Sequence, residues 1–151
     1  IKFIARRMLI LASEDIGLAN PNALVIANNC FQAVNVIGNP EARIILSETA
    51  VYLAVSPKSN STYMAINEAL ALVKRTGNLP VPLHLRNAPT KLMKDLDYGK
   101  EYKYAHSYDG NFVDQDFLPE EIKDVKLYEP GNNATEKKIY EELKKKWNNK
   151  Y

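Results

Sequence analysis

The chain has 151 residues, of which 46% are hydrophobic and 25% charged, and its formal net charge is +2. A core of good size is therefore expected, and the near balance of charge gives no reason by itself to expect nucleic acid or an anionic membrane as a direct partner. The single cysteine excludes an internal disulfide, and the sequence shows neither a signal peptide nor a long apolar run, so we expect a cytoplasmic protein without a membrane partner.

Helix signals repeat along the first half of the chain. Asn20-Pro21 and Asn39-Pro40 each place a capping residue before a proline suited to the first helical position. Gly17, Gly38 and Gly77 follow apolar periodic segments, where helices commonly end. These signals predict four closely packed helices, at about 2–16, 21–37, 40–55 and 61–76, which form a helical core over residues 1–77.

Beyond residue 77 the helical period gives way to prolines and turn signals. Pro80 and Pro82 exclude a helix around them, and His84 alternates with leucines in what reads as an extended stretch. We therefore expect an irregular arm over residues 78–132, with one short helix near 90–97. A C-terminal helix over 133–151 is predicted from an apolar stripe, and Asn133 with Glu136 is a candidate capping box at its start.

Charged residues are distributed very unevenly. Residues 16–67 carry only four, although about a quarter of an average chain is charged. The second predicted helix has none, and one of its faces carries a polar stripe of amides spaced four, three and four apart, which continues into the following turn: Asn28, Gln32, Asn35 and Asn39. Surfaces that face water usually carry Lys and Glu, whereas the centres of interfaces lack charge but accept amides.

Three explanations of this charge depletion are open: self-association, contact with other parts of a longer protein, and plain exposure to water. We expect self-association, because a domain of this size cannot fully surround two helices that are apolar over most of their circumference. The candidate interface residues lie on the second and third helices and in the turn between them: Asn28, Phe31, Gln32, Asn35, Asn39, Ile45 and Tyr52.

Catalytic machinery is not evident in the sequence. The glycine-rich loop of P-loop NTPases is missing, and the six glycines are scattered. His84 and His106 lack metal-site spacing, and Cys30 stands among residues that give it no electropositive setting. We therefore expect no catalytic, cofactor-binding or metal-binding residue in this chain, and no enzymatic activity of its own.

A lysine- and tyrosine-rich segment offers an alternative function. Aromatic side chains beside cations are typical of single-strand nucleic-acid binding. The candidates for contact with DNA or a partner protein are Arg86, Lys91, Lys94, Lys100, Tyr102, Lys103 and Tyr104. Acidic neighbours leave a net charge of only +1 between Lys91 and Tyr108, so the tyrosines are alternatively anchors that pin the arm to the helical core.

Several long segments carry a family resemblance. They include Ser-Glu-Asp-Ile-Gly-Leu at 13–18, Pro-Leu-His-Leu-Arg-Asn-Ala-Pro-Thr-Lys-Leu-Met at 82–93, and Tyr-Gly-Lys at 98–100. Through them nearly the whole chain resembles the C-terminal region of the RarA/MgsA family of AAA+ ATPases, relatives of the Werner-helicase-interacting protein.

The resemblance implies several properties that the residues alone do not. It implies a helical domain, similar to the collar of clamp loaders, through which the parent protein forms a homotetramer. It also implies a parent that couples ATP hydrolysis, with Mg²⁺, to DNA at stalled replication forks, near the nucleoid and replisome. The AAA+ core would then lie N-terminal to Ile1, in agreement with our expectation that this chain is a piece of a longer protein, and that core, DNA and fork proteins are the expected further partners.

Overall fold

The computed structural model describes residues 1–147 and 150–151, which form six α-helices and no strand. In chain order the helices are α1 (Lys2–Leu11), α2 (Asn22–Ile37), α3 (Ala42–Val55), α4 (Ser61–Thr76), α5 (Lys91–Asp95) and α6 (Ala134–Lys146). The expected all-α fold is therefore confirmed. Over these same residues, no helix combines the length and the hydrophobicity needed to cross a membrane.

The predicted caps of α2 and α3 are wrong. Neither helix receives a side-chain cap, and they begin at Asn22 and Ala42. Asn20 instead donates from Nδ2 to Tyr52 Oη (3.0 Å) and Ser56 Oγ (3.1 Å). The Asn39–Pro40 peptide bond is cis and lies in the turn before α3. The side chain of Asn20 therefore bonds to residues distant in the sequence and does not cap α2.

The end of α1 is wider than an α-helix. Residues Ala12–Ile16 form a π-helical turn, and a 3-10 turn follows at Gly17–Ala19. Gly17 has a φ of 48°, and a Cβ there would lie 2.8 Å from the carbonyl oxygen of Ser59, so only glycine fits. The N–H of Ser59 donates to the carbonyl oxygen of Asp15 at 2.7 Å. Backbone contacts therefore fix the turn after α1 against the residues that precede α4.

The chain divides into two compact units, and unit 1 comprises residues 1–70 and 127–141. Helices α1, α2 and α3 pack against one another in this unit. Its buried apolar residues are mostly small: Ala5, Ala12, Ala19, Ala23, Ala27 and Ala42, with Ile16, Cys30, Val34 and Leu53. Short side chains at helix contacts allow the helix axes to approach closely. The interior is thereby filled with few large residues, and many aliphatic side chains of α2 and α3 remain outside it.

Unit 2 comprises residues 71–126 and 142–151 and is mostly irregular. His84 lies in a 3-10 turn at Leu83–Leu85, so the extended stretch expected there is wrong. Its Nε2 donates to the carbonyl oxygen of Asp116 at 2.7 Å, which gives this histidine a structural role. Trp147 packs edge-on against Phe112, with ring centroids 5.0 Å apart, and against Phe117 at 6.2 Å.

The last two helices differ slightly from their predicted bounds. α5 is shorter than predicted, and Thr90 caps it by accepting a hydrogen bond from Met93 N–H at 3.3 Å. α6 ends at Lys146, whereas the predicted helix runs to residue 151. Asn148 and Asn149, which belong to that predicted helix, lie outside the described residues.

Candidate self-association surface

The outer face of α2 lies opposite its buried alanines and carries no charge. Val25, Asn29, Gln32 and Val36 follow one another at intervals of four, three and four residues, so they line one side of the helix. All four are exposed, Val25 by 58% and Val36 by 86%. The flanking positions are also exposed and uncharged: Leu24, Asn28 and Asn35.

α3 presents a second exposed stripe with the same spacing. It consists of Ile44, Glu48, Val51 and Val55, with Glu48 as its single charge. Ile44 and Val51 are each 61% exposed, and Val55 is 77% exposed. We call the exposed residues of both stripes and the positions that flank the first the outer α2–α3 surface.

This surface reverses the usual distribution of side chains, because alanines are buried while branched aliphatic residues face outward. Single exposed aliphatic residues are ordinary on a monomer, but a concentration of them marks a site of interaction. The scarcity of charge also indicates a site of interaction, because Lys and Glu normally maintain solubility on surfaces that stay in water. The chemistry of the surface thus matches the centre of a protein interface.

The structure divides the predicted interface residues into two groups. Asn28, Gln32 and Asn35 are exposed on α2 and Asn39 is exposed in the following turn, and Asn35 Nδ2 also donates to the carbonyl oxygen of Phe31 at 2.9 Å. The others are half-buried and pack against the core of unit 1: Phe31, Ile45 and Tyr52. Sequence reasoning missed the exposed valines, because it assigned large aliphatic residues to the interior and amides to the surface.

Three of the predicted DNA-contacting cations already have partners within unit 2. Arg86 donates from Nε to the carbonyl oxygen of Val81 at 2.6 Å, and its guanidinium carbon lies 5.0 Å from the centre of the Tyr98 ring. Lys100 Nζ lies 3.1 Å from Asp97 Oδ1. The third, Lys103, donates from Nζ to the carbonyl oxygen of Asp114 at 3.3 Å.

The remaining candidates of this segment are exposed. Lys91 and Lys94 lie on α5 and face solvent. Tyr102, Tyr104 and Tyr108 are 52%, 58% and 45% exposed. The rings of these three side chains are therefore about half exposed and accessible for stacking, although the Tyr104 ring already lies 5.2 Å from that of His106.

A buried carboxylate joins α6 to the start of α4 within unit 1. Glu136 is fully buried, and its Oε1 accepts hydrogen bonds from Ser61 Oγ and from Tyr128 Oη (2.8 Å). Asn133 forms the expected cap, since its Oδ1 accepts from Glu136 N–H at 2.9 Å and its Nδ2 donates to Oε2 at 2.5 Å. The cap by Asn133 was predictable from the sequence, but the contact of Glu136 with Ser61 was not, because the two residues are 75 positions apart.

Hydrogen bonding keeps Glu136 ionised. Burial alone would raise the pKa of this carboxyl, because it removes water from the charged form. Hydrogen bonds from Ser59, Ser61, the backbone of Gly131 and Asn133 outweigh burial and lower the pKa to about 2. Since a carboxylate with so low a pKa is a weak general base, the cluster is suited to a structural role.

Comparison with known proteins relates the chain to one family. Residues 1–147 match the family described as MgsA AAA+ ATPase C terminal. The chain is 47% identical over 142 residues to Replication-associated recombination protein A of Coxiella burnetii, a match that covers 93% of this chain. It is 42% identical over 142 residues, again 93% of this chain, to the protein of the same name in Escherichia coli K12. With the ATPase WRNIP1 of Dictyostelium discoideum it shares 46% identity over 128 residues, or 84% of this chain.

The matched region is only part of each relative. It covers 32% of the Coxiella burnetii and Escherichia coli proteins and 15% of the Dictyostelium discoideum protein. The chain therefore spans about one third of the length of the bacterial relatives and less of the amoebal one. The expected resemblance is confirmed, and the chain belongs to the family of MgsA AAA+ ATPase C-terminal domains.

Proposed function

We propose that this chain is the homo-oligomerisation domain of a DNA-dependent AAA+ ATPase, and that it assembles its parent into a homotetramer at stalled replication forks. The observation that carries this proposal is the outer α2–α3 surface, on which aliphatic side chains and amides are exposed almost without charge. The names of the relatives support a setting in replication-linked recombination and repair. In this proposal ATP and Mg²⁺ bind elsewhere in the parent, which works in the cytoplasm near the nucleoid.

The free energy of burial favours self-association. Burying a valine or isoleucine side chain contributes at least about 1.5 kcal/mol, so covering five exposed aliphatic residues contributes several kcal/mol. This amount offsets much of the translational and rotational entropy that two molecules lose on association, about 4 kcal/mol or more. The amides add specificity, because each needs a hydrogen-bond partner once water is excluded.

Sedimentation velocity of the chain at about 20 µM tests the proposal. The proportions of monomer and assembled species give a dissociation constant, which converts to a free energy of association. We expect species well above the 17.1 kDa of one chain. Gln32→Glu should weaken association by about 100-fold, because an unpaired buried charge costs several kcal/mol. Asn78→Asp is the matched control, since it makes the same amide-to-carboxylate change at an exposed loop position outside the surface. A strict monomer, or equal effects of both variants, would contradict the proposal.

A second candidate function is binding of single-stranded DNA or of a replication protein by the segment 86–108. The exposed rings of Tyr102, Tyr104 and Tyr108 support it, because bases stack on accessible aromatic side chains. The contacts already made by Arg86, Lys100 and Lys103 argue for weak binding with a shallow dependence on salt.

Fluorescence anisotropy with a labelled single-stranded oligonucleotide tests this second function. We expect the double variant Tyr102→Ala/Tyr104→Ala to reduce affinity by about tenfold or more, since one stacked base contributes about 1–3 kcal/mol. Tyr63→Ala is the control, because Tyr63 is exposed on α4, outside the segment. Equal losses for both variants, or no detectable binding by the unmodified chain, would exclude the segment as a DNA site.

A further inference from the structure

Helix α4 carries an exposed apolar stripe on the side opposite its buried residue Leu72. Tyr63, Ile66, Leu70 and Val73 follow one another at intervals of three, four and three residues, so they lie along one side of the helix. Their exposed fractions are 44%, 56%, 63% and 58%. We call these four residues the α4 stripe, and none of them belongs to the outer α2–α3 surface.

The charged residues of α4 lie away from this stripe, with one exception. Glu68 and Arg75 are seven residues apart on the side of the helix that includes Leu72. Lys74 borders the stripe, and Asn67 has the equivalent position seven residues earlier, so this rim accepts a long side chain that reaches water. Apolar residues at alternating intervals of three and four, with polar flanks, are typical of the seam between two paired helices.

A second copy of α4 matches the stripe when the two helices run antiparallel about a two-fold axis at the level of residue 68. Tyr63 of each copy then faces Val73 of the other copy, and Ile66 faces Leu70, so all four apolar side chains are covered. A parallel pair would bring both Lys74 side chains to the same end of the seam, where like charges disfavour it. In the antiparallel pair the two lysines are about 18 Å apart along the helix axes.

The area of the stripe indicates how such a contact can form. Four half-exposed side chains offer about 400 Å² per copy, half of the roughly 800 Å² per partner in an interface of standard size. One contact between α4 helices is therefore too small to hold two free copies together. Two such contacts formed at once supply the standard area, which occurs when two pairs of copies meet.

We propose that the α4 stripe is a second contact between copies of this chain, in which antiparallel α4 helices join two pairs that the outer α2–α3 surface has formed. Two different two-fold contacts on each chain close, in their smallest symmetric assembly, at four copies. This contact rests on the proposed function, because it needs those pairs. The stripe is also the smaller of the two surfaces, so dilution releases pairs before single chains.

Sedimentation velocity of two variants tests the α4 contact. Leu70→Lys places an unpaired charge close to the two-fold axis, so we expect the mass in solution to fall by about half, from four copies to two. Met64→Lys is the matched control, because Met64 is 55% exposed on the same helix but lies outside the stripe, and it should leave the mass unchanged. Both positions are exposed, so circular dichroism should show unchanged helix content in both variants.

Failure of the α4 contact differs from failure of the proposed function. If Leu70→Lys keeps the mass of the unmodified chain, the α4 contact is overturned and the outer α2–α3 surface remains the contact between copies. If Leu70→Lys dissociates to single chains, it is also overturned, because the pairs themselves would then need α4. An unchanged mass of Val25→Lys/Val36→Lys would contradict the outer α2–α3 surface, and with it the pairs that α4 joins.

Cross-linking tests the direction of the two helices. Chains with Ile66→Cys are mixed with chains with Leu70→Cys and oxidised, and the native Cys30 contributes little because it is buried. We expect the mixed disulfide to predominate, since residues 66 and 70 face each other in the antiparallel pair and a disulfide needs closely approaching side chains. Cross-linking that is faster within each variant alone than in the mixture would show a parallel pair and overturn the antiparallel contact.

Discussion

The hydrogen bonds that Glu136 accepts from Ser61, Tyr128 and Asn133 all come from neutral donors, which stabilise its charge. Glu136→Gln keeps the shape of the side chain but replaces one carboxylate oxygen with an NH2 donor, which then faces either the donors of Ser61 and Tyr128 or the donor of Asn133. We expect the free energy of unfolding to fall by about 3 kcal/mol, because buried donors are left without acceptors. Urea unfolding followed by circular dichroism measures this difference.

The matched control is Glu142→Gln, the same change on the same helix. Glu142 is exposed and pairs with Lys145 at 2.7 Å, and exposed ion pairs contribute little. We expect its free energy of unfolding to stay within about 0.5 kcal/mol of the unmodified chain. Similar losses for the two variants would mean that the buried cluster has no special role.

The pKa of Glu136 also predicts how stability depends on pH. Its value is about 2 in the folded chain, below the ordinary 4.5, so between these two pH values the unfolded chain binds a proton that the folded chain does not. The contribution of Glu136 is therefore complete above about pH 4.5 and is lost as the pH falls towards 2. Denaturant unfolding should show the unmodified chain and Glu136→Gln converging in stability on acidification; a constant difference would contradict the low pKa.

Gly131 makes room for the same carboxylate. A Cβ at this position would lie 2.6 Å from Glu136 Oε2 and 2.9 Å from Ser59 Oγ. Gly131→Ala should therefore lower the unfolding free energy by about 1–3 kcal/mol, the usual range for overpacking. Asn132→Ala, at the exposed neighbouring position, is expected to change it by less than about 0.5 kcal/mol. Thermal unfolding compares the two variants, and equal stability of both would refute the steric argument.

At the scale of elements, α2 packs into the core with one face and contributes to the outer α2–α3 surface with the opposite face. Its buried alanines belong to the interior of unit 1, and its exposed residues supply seven of the eleven positions of the outer α2–α3 surface. The double variant Val25→Lys/Val36→Lys should leave helix content and monomer stability nearly unchanged, within about 0.5 kcal/mol, because both positions are exposed. It should nevertheless abolish self-association, which light scattering detects.

Asn67→Lys on α4 is the control for that double variant. Asn67 is exposed and lies outside the outer α2–α3 surface, so we expect this single added charge to leave the mass in solution unchanged. A double variant that retains the mass of the unmodified chain would place the contact between copies elsewhere.

The sequence predicted helix positions well, with starts within two residues of those observed, but it predicted the capping of α2 and α3 poorly. The interruptions at Gly17, Gly38 and Gly77 were predictable, because all three have positive φ values, which glycine adopts without strain. The lack of a side-chain cap on α2 was not, because Asn20 has the usual capping chemistry but bonds to Tyr52 and Ser56, more than 30 residues away. A local sequence pattern carries no information about hydrogen bonds to residues so far along the chain.

The candidate surface was predictable only in outline. The lack of charge between residues 16 and 67 indicated a protected region, and the amides Asn28, Gln32 and Asn35 do lie on an exposed face of α2. The exposed valines were missed, because periodicity alone does not tell which apolar side of a helix is inside. That choice depends on α1 and α3, whose contacts favour the small residues of α2.

At the scale of the whole molecule, the dependence of self-association on salt tests which residues hold the copies together. Salt screens charged groups but acts little on apolar burial, so self-association through the outer α2–α3 surface should change by no more than about twofold between 0.1 M and 0.5 M NaCl. Sedimentation equilibrium at both salt concentrations measures it. A weakening of about tenfold or more would show that charged residues, rather than this surface, hold the copies together.

The contacts at the start of α6 also set an order of events during synthesis. Thr135 Oγ1 donates to the carbonyl oxygen of Ala19 across 116 residues, and Ser61 meets Glu136 across 75. A ribosome delivers the helices α1 to α4 first, and Thr135 and Glu136 emerge only after the whole of residues 71–126. Unit 1 is therefore closed only once residue 136 has emerged, and any pairing of copies that needs the closed unit occurs after that point in synthesis.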